Sequence, residues 1–235
     1  MDPIDAALAV VEEHHPDARA AFLGGSVITD RRTATSDLDI VVLLHGAPAP
    51  YRLNVHRHGW PAELLVHTEE SWHGFVEREV RDGSSPLMWM CAEGVLLLDN
   101  DGVGARTGAY AKSLAAAGPP ALPVEEIEDR RYALTDLLDD LAGCTEQGER
   151  LFICTELARR TAELVLALNT AWNGGGKWLS RRLDATAPGL STRLHDGVQQ
   201  ALEGRTKPLV AVVDEVLDRA GGRLWVGYRR SGTPR

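Results

Sequence analysis

The first half of the chain alternates between helical and strand-like hydrophobic patterns. Apolar residues recur with a helical period from Pro3 to about His15. Four runs typical of strands follow, ARAAFL, LDIVVLL, YRLNVHRH and AELLVHT, and a glycine turn with a polar loop separates the first two. Helical periodicity returns over 69–81, 85–92 and 103–117, with the extended run VLLLDNDG before the last of these. This half is predicted to be a mixed sheet with flanking helices.

The second half has only helical periodicity. Gly118-Pro119-Pro120 and Pro123 interrupt the pattern, because proline removes a backbone donor and restricts the residue before it. Apolar residues then recur at spacings of three and four over 125–141, 149–172, 177–183, 190–202 and 207–219. We therefore expect an α+β protein with a mixed-sheet domain over 1–120 and an all-α helical bundle over 121–235.

Composition narrows the classes of partner. Of the 235 residues, 44% are hydrophobic and 25% charged, as in ordinary globular proteins. The formal net charge of -9 argues against a broad basic surface, so no nucleic-acid partner is expected. The three cysteines form no CxxC pair, which argues against a disulfide framework or a zinc cluster. No apolar run approaches the length that spans a bilayer, so no membrane partner and a cytoplasmic location are expected.

Two aspartates at the start of an apolar strand carry the main chemical signal. Asp37 and Asp39 flank Leu38 and run into Ile40-Val41-Val42-Leu43. Residues two apart on a strand project from the same face, so the two carboxylates would lie side by side. Divalent cations relieve the repulsion between such groups, and hard oxygen ligands favour Mg²⁺. A pair of such ions can clamp the attacking and leaving oxygens of a phosphoryl group.

Glu63, Gly25 and Ser26 are predicted to complete this site. Glu63 lies at the start of the run AELLVHT, where it shares one face with Leu65 and His67, and it fits the role of a third metal-binding carboxylate. Burial of a carboxylate in an apolar strand is costly unless it is paired or bound to a metal. Glycine lets the main chain approach a triphosphate closely, and the Ser26 hydroxyl would add a hydrogen bond.

Gly25-Ser26, ten intervening residues, Asp37-Leu38-Asp39 on a strand and Glu63 downstream resemble the motif of the DNA polymerase β nucleotidyltransferase superfamily. The motif spans about 22–68, and a short catalytic domain before a helical bundle resembles aminoglycoside and minimal nucleotidyltransferases. The resemblance implies that Asp37, Asp39 and Glu63 bind two Mg²⁺ ions, with Glu63 as a general base. It also implies a triphosphate on Gly25-Ser26, with ATP favoured, and transfer of AMP to a hydroxyl of a small, aminoglycoside-like acceptor.

Several residues and alternatives stay open. Arg31 is a candidate counter-charge for the leaving group, and Lys177, after the glycines 174–176, is a candidate for the triphosphate. Glu156 or Glu163, on one stripe of a helix, would be an auxiliary base or acceptor ligand. The alternatives to a small acceptor are a protein hydroxyl, as in an AMPylating antitoxin, and a non-catalytic nucleotide-binding module. The oligomeric state is open, and a strand-like C-terminal arm, LWVGYRRSG, would be compatible with a homodimer.

Overall fold

The structure is a computed structural model that describes residues 1–231. It divides into two compact units, Met1–Pro119 and the part of the chain from Pro120 onward. The division falls inside the proline-rich segment 118–123. Each unit buries a hydrophobic core of its own. Among the described residues, no helix is both long enough and apolar enough to cross a membrane.

The first unit combines a sheet with helices, as the hydrophobic pattern predicts. Helix α1 starts after Asp2, whose carboxylate accepts a hydrogen bond from the amide of Ile4 at 2.9 Å. A reciprocal capping box between Thr68 and Ser71 starts α2. The elements in chain order are α1 (Pro3–His14), β1 (Ala20–Gly24), a 3-10 turn (Ser26–Ile28), β2 (Leu38–Leu44), β3 (Tyr51–Arg57), β4 (Trp60–Thr68), α2 (Glu69–Arg81), α3 (Pro86–Ala92), β5 (Val95–Asp99) and α4 (Val103–Ala117).

The strands form one mixed sheet in the order β3-β4-β2-β1-β5. β2 and β4 are parallel, whereas β1 pairs antiparallel with β2 and β5, and β3 pairs antiparallel with β4. His58 and Gly59, which join β3 to β4, both have positive φ, as a two-residue hairpin of this kind requires. β4 is therefore held between β2 on one side and β3 on the other.

The two faces of this sheet differ in chemistry. One face packs against α1 and forms the core, with alternate residues of β1, β2 and β4 buried: Ala21, Leu23, Leu38, Ile40, Val42, Leu44, Ala62, Leu64 and Val66. The opposite face contacts α2, α3 and α4. Asp39 and Glu63 belong to this second face, because their strand neighbours Ile40 and Leu64 lie in the core. The predicted α+β class is confirmed.

The described part of the second unit is helical. Its elements are α5 (Val124–Gly143), α6 (Gln147–Leu168), α7 (Lys177–Thr186), α8 (Leu190–Leu202) and α9 (Lys207–Arg219). Helix α6 ends at Leu168, although its apolar pattern predicted an end at Trp172. Thr170 turns the chain with a φ of 47°, and the amide of Ala171 donates to the carbonyl of Leu166 at 2.9 Å. That backbone closure ends the helix while apolar residues continue.

The C-terminal segment 224–231 lies against α5 and forms no strand. The ring of Tyr132 on α5 stacks on Tyr228, with centroids 4.1 Å apart, and on Trp225 at 5.4 Å. The segment therefore packs on a helix of its own unit. The strand-like form predicted there is wrong for these residues, and Gly232, the last residue of that prediction, lies outside the described part of the chain.

A buried hydroxyl on α5 ties down this segment and offers a test of its contribution to stability. Thr135 donates to the carbonyl of Arg131 and accepts from the amide of Leu224 at 3.0 Å. Thr135→Val is expected to lower the free energy of unfolding by about 1–2 kcal/mol, because it leaves that amide without its acceptor. Urea denaturation measures the loss.

Thr155→Val is the matched control, since the hydroxyl of Thr155 also donates to a carbonyl one turn earlier, that of Leu151, but lies on an exposed helix surface. Its effect is expected to stay within about 0.5 kcal/mol. Equal losses in the two variants would show that the hydrogen bond to Leu224 contributes nothing.

Candidate active site

The turn after β1 brings a glycine backbone against the carboxylate of Asp39. Gly25 has a φ of 79°, a conformation that glycine adopts without steric cost. A Cβ at this position would lie 2.0 Å from Oδ2 of Asp39, so a larger residue requires Asp39 to move. Gly24 is confined as well, because a Cβ there would meet the side chain of Met90 on α3 at 2.8 Å. A larger residue at position 25 would therefore displace Asp39, and one at position 24 would displace Met90.

A pair of serines closes the loop between the turn and the aspartates. The hydroxyl oxygens of Ser26 and Ser36 lie 3.1 Å apart, and both residues are buried. The Ser36 hydroxyl also accepts from the amide of Thr33 at 2.9 Å. These contacts hold the turn next to the residue that precedes Asp37. The Ser26 hydroxyl is therefore engaged in loop closure, and its predicted contact with a phosphate stays a prediction.

The sheet register places Asp39 and Glu63 side by side. The two residues are partners in the parallel pairing of β2 with β4, where neighbouring strands lie about 4.8 Å apart. Both side chains project from the face opposite the α1 core and are partly exposed. Glu63 is the fourth residue of β4, so its predicted position at the start of a strand is wrong. The carboxylate instead lies within the sheet, between two paired neighbours.

Asp37 lies just outside this sheet. β2 begins at Leu38, so Asp37 is an exposed residue immediately before the strand, where the sequence pattern predicted it on the strand itself. Within residues 1–231, no three His, Cys, Asp or Glu side chains are gathered closely enough to hold one metal ion. The structure thus brings the aspartates and Glu63 to one end of one sheet face without clustering their carboxylates.

Two residues of β3 adjoin the site and were missed in the sequence. Arg52 forms an ion pair with Glu63, with its guanidinium Nη1 3.2 Å from Oε1. Asn54 is the residue paired with Glu63 across the antiparallel β3–β4 register. Both are exposed on the face that carries the carboxylates. The alternation of polar and apolar residues in YRLNVHRH is the signal that could have identified them.

The two predicted cationic residues lie in different units. Arg31 is exposed in the loop before Asp37, and its amide donates to the Thr29 hydroxyl at 3.2 Å. Lys177 is the first residue of α7 in the second unit and is also exposed. Their roles with a triphosphate stay predictions. The neighbouring Arg32 is engaged elsewhere, since its guanidinium lies over the ring of Trp60 at 4.7 Å.

The candidate auxiliary bases on α6 differ in their surroundings. Arg159, and to a lesser extent Arg160, hold the pKa of Glu156 at about 2 through hydrogen bonds. A carboxylate with so low a pKa is a weak general base near neutral pH. Glu163 pairs with Arg159 at 2.5 Å and borders a cavity of about 210 Å³ beside α5. Their roles as auxiliary bases stay predictions.

The donor set fits a hard divalent cation such as Mg²⁺. Asp37 and Asp39 offer carboxylate oxygens, the ligands that Mg²⁺ prefers, and the Asp39 carboxylate is held in place against Gly25. Glu63 is adjacent by register, but its contact with Arg52 must open before it can join a shared ion. Asp37 and Asp39 are the residues that would hold such an ion, with Glu63 as an additional ligand, and the metal site stays a prediction.

Comparisons with known proteins give only a distant likeness. No protein-family model matches the chain, and no curated protein matches it. Among solved structures, the chain is similar to a nucleotidyltransferase-like protein from Exiguobacterium sibiricum, with a TM-score of 0.48 and 9% sequence identity. The match covers 93% of this chain and 77% of that chain. A likeness of this degree carries no argument about activity, which rests on the site itself.

The contact between Gly25 and Asp39 predicts the effect of a single methyl group. Gly25→Ala is expected to push the Asp39 carboxylate aside and to weaken Mn²⁺ binding by about 10- to 100-fold, as loss of a residue that orients a metal ligand does. Isothermal titration of the purified protein with Mn²⁺ measures the affinity.

Gly59→Ala is the matched control for backbone strain. Gly59 has a φ of 83°, close to that of Gly25, but a Cβ there would meet nothing within 4 Å. Both variants carry the cost of a non-glycine residue at positive φ, and only Gly25→Ala disturbs Asp39. Equal Mn²⁺ affinity in the two variants would mean that the glycine contact does not position the carboxylate.

Proposed function

We propose that this chain is a nucleotidyltransferase that depends on Mg²⁺ and transfers a nucleoside monophosphate to a hydroxyl group of a small acceptor. The observation that supports this most strongly is the pairing of Asp39 with Glu63 on parallel strands, with the Asp39 carboxylate against Gly25. Asp37, just before the strand, adds a third carboxylate at the same end of the sheet. ATP is the favoured donor and AMP the favoured transferred group.

The residues of the site have distinct tasks in this proposal. Asp37 and Asp39, with Glu63 as a further ligand, would hold two Mg²⁺ ions, which when bound neutralise phosphate charge and lower the pKa of an oxygen nucleophile. The glycine turn admits the triphosphate to the main chain near Asp39. Glu63, as the third carboxylate, accepts the proton of the acceptor hydroxyl. Arg31, in the loop before Asp37, is proposed to balance the charge of the triphosphate.

The proposed reaction exchanges one phosphorus–oxygen bond for another. The acceptor oxygen attacks the α-phosphorus of the nucleoside triphosphate in line with the bond to the β-phosphate, and its proton passes to a carboxylate oxygen of Glu63. The bond between the α-phosphorus and the bridging oxygen breaks, and pyrophosphate leaves. The products are the acceptor nucleoside monophosphate ester and pyrophosphate.

The acceptor is proposed on charge. A net charge of -9 attracts cationic molecules and repels anionic ones, which favours an aminoglycoside-like polyamine alcohol over a nucleic acid. A protein hydroxyl is the alternative acceptor. A module that binds nucleotide without catalysis is the other alternative, and it would bind a triphosphate but release no pyrophosphate.

Pyrophosphate release in the presence of Mg²⁺ tests the proposal. Each nucleoside triphosphate is assayed with a panel of aminoglycosides, lincosamides and candidate proteins. Asp39→Asn is expected to lower acceptor-dependent release by a factor of roughly 10² or more, because it removes a charged metal ligand. Asp17→Asn, which alters an exposed carboxylate in the turn after α1, is expected to leave release unchanged.

The outcomes separate the alternatives. Pyrophosphate release with a small acceptor such as an aminoglycoside, lost in Asp39→Asn, would establish the proposed transfer. Pyrophosphate release only with a protein acceptor would identify the AMPylating alternative. Triphosphate binding without release from any acceptor would favour the non-catalytic module. Release that persists in Asp39→Asn would contradict the assignment of the site.

A further inference from the structure

The ion pair between Arg52 and Glu63 engages the third carboxylate on the side of β4 that faces β3. β4 lies between β2, which carries Asp39, and β3, which carries Arg52. Glu63 has Asp39 as its register partner on one side, yet its Oε1 lies 3.2 Å from the Arg52 guanidinium on the other. Glu63 is thus paired with a cation, while no three ligating side chains gather around one point within residues 1–231.

We propose that Arg52 is a positioning residue that competes with a divalent cation for Glu63. In this arrangement Arg52 neutralises Glu63 while the cation is absent and relieves the repulsion between Glu63 and Asp39. When the cation binds, Glu63 turns from β3 towards β2 and becomes a ligand. The inference rests on the proposed function, because it assigns the cation to the same carboxylates.

The exposure of the pair suits such an exchange. The side chain of Arg52 is 64% exposed, whereas that of Glu63 is 24% exposed. Water screens an ion pair with so exposed a partner, and such pairs change an equilibrium constant by no more than about fivefold. A cation held by two or three carboxylates can therefore displace Arg52, and the released guanidinium returns to water without leaving a buried charge.

The sequence position of Arg52 argues against a purely structural role. β3 is an edge strand, and the apolar residues of its other face, Tyr51, Leu53 and Val55, pack against the core. Arg52 contributes to the opposite face, where it forms an ion pair with Glu63. Its replacement by glutamine keeps a polar side chain on this exposed face and removes the charged guanidinium. The fold should therefore tolerate the change.

The inference is tested by titrating the full chain with Mn²⁺. The electron paramagnetic resonance signal of the free ion measures how much Mn²⁺ is bound. Arg52→Gln is expected to bind Mn²⁺ about two- to fivefold more tightly than the unchanged protein, because the competitor for Glu63 is gone. In a protein that already carries Glu63→Gln, Arg52→Gln is expected to leave the Mn²⁺ affinity unchanged. This double-mutant cycle shows whether Arg52 acts through Glu63.

Arg57→Gln is the matched control for charge alone. Arg57 lies on the same strand but on the other face, 3.8 Å from Glu13, and its removal changes the net charge equally. An equal gain in affinity for Arg57→Gln would overturn the inference, as would unchanged or weaker Mn²⁺ binding in Arg52→Gln, or a gain that persists without Glu63.

Asp39→Asn separates this inference from the proposed function. If Mn²⁺ binding depends on Asp39 but is insensitive to Arg52, the metal site stands and the role of Arg52 is wrong. If Asp39→Asn leaves the Mn²⁺ affinity unchanged, both the proposed site and the role of Arg52 are wrong.

Discussion

The parallel pairing of β2 with β4 is the constraint on which the candidate site depends. It sets Asp39 opposite Glu63 and directs both side chains to the face opposite the one that packs against α1. Two carboxylates on neighbouring strands repel each other, and their separation is fixed by the backbone hydrogen bonds of the sheet. Ile40 and Leu64 hold the register, because a slip by one residue would bury the carboxylates and expose the core.

Two local features lie beside these carboxylates, a cationic side chain and a glycine turn. A cation, Arg52, lies beside Glu63, and a glycine turn allows the carboxylate of Asp39 to lie against the main chain at Gly25. The serine contact between Ser26 and Ser36 fixes the turn relative to β2. Both features lie at the end of the sheet where the proposed function places a cation and a phosphate.

Periodicity in the sequence was sufficient to predict the elements. Strands such as LDIVVLL and helices such as 190–202 have uniform patterns, and their structural bounds agree with the pattern or differ by a few residues. The end of α6 at Leu168 was missed, because a backbone turn at Thr170 ends the helix within a run that is still apolar. Local backbone conformation of that kind has only a weak signal in side-chain hydrophobicity.

The candidate site was predictable only in part. Asp39, Gly25 and Glu63 stand out because acidic residues and glycines interrupt apolar runs. The contact of Glu63 with Arg52 was not predictable, because it depends on β4 inserting between β2 and β3, a long-range choice that no local pattern encodes. The low pKa of Glu156 has a local cause by contrast, because Arg159 and Arg160 lie three and four residues further along the same helix.

Anomalous diffraction from crystals grown with Mn²⁺ and a non-hydrolysable nucleoside triphosphate tests the central claim most directly. We expect anomalous peaks for Mn²⁺ ions bound by the carboxylates of Asp37 and Asp39. Glu63 should be turned away from Arg52 towards these ions, and the triphosphate should lie beside Gly25. Peaks only at other carboxylates, with the Arg52–Glu63 pair intact and the triphosphate bound elsewhere, would contradict it.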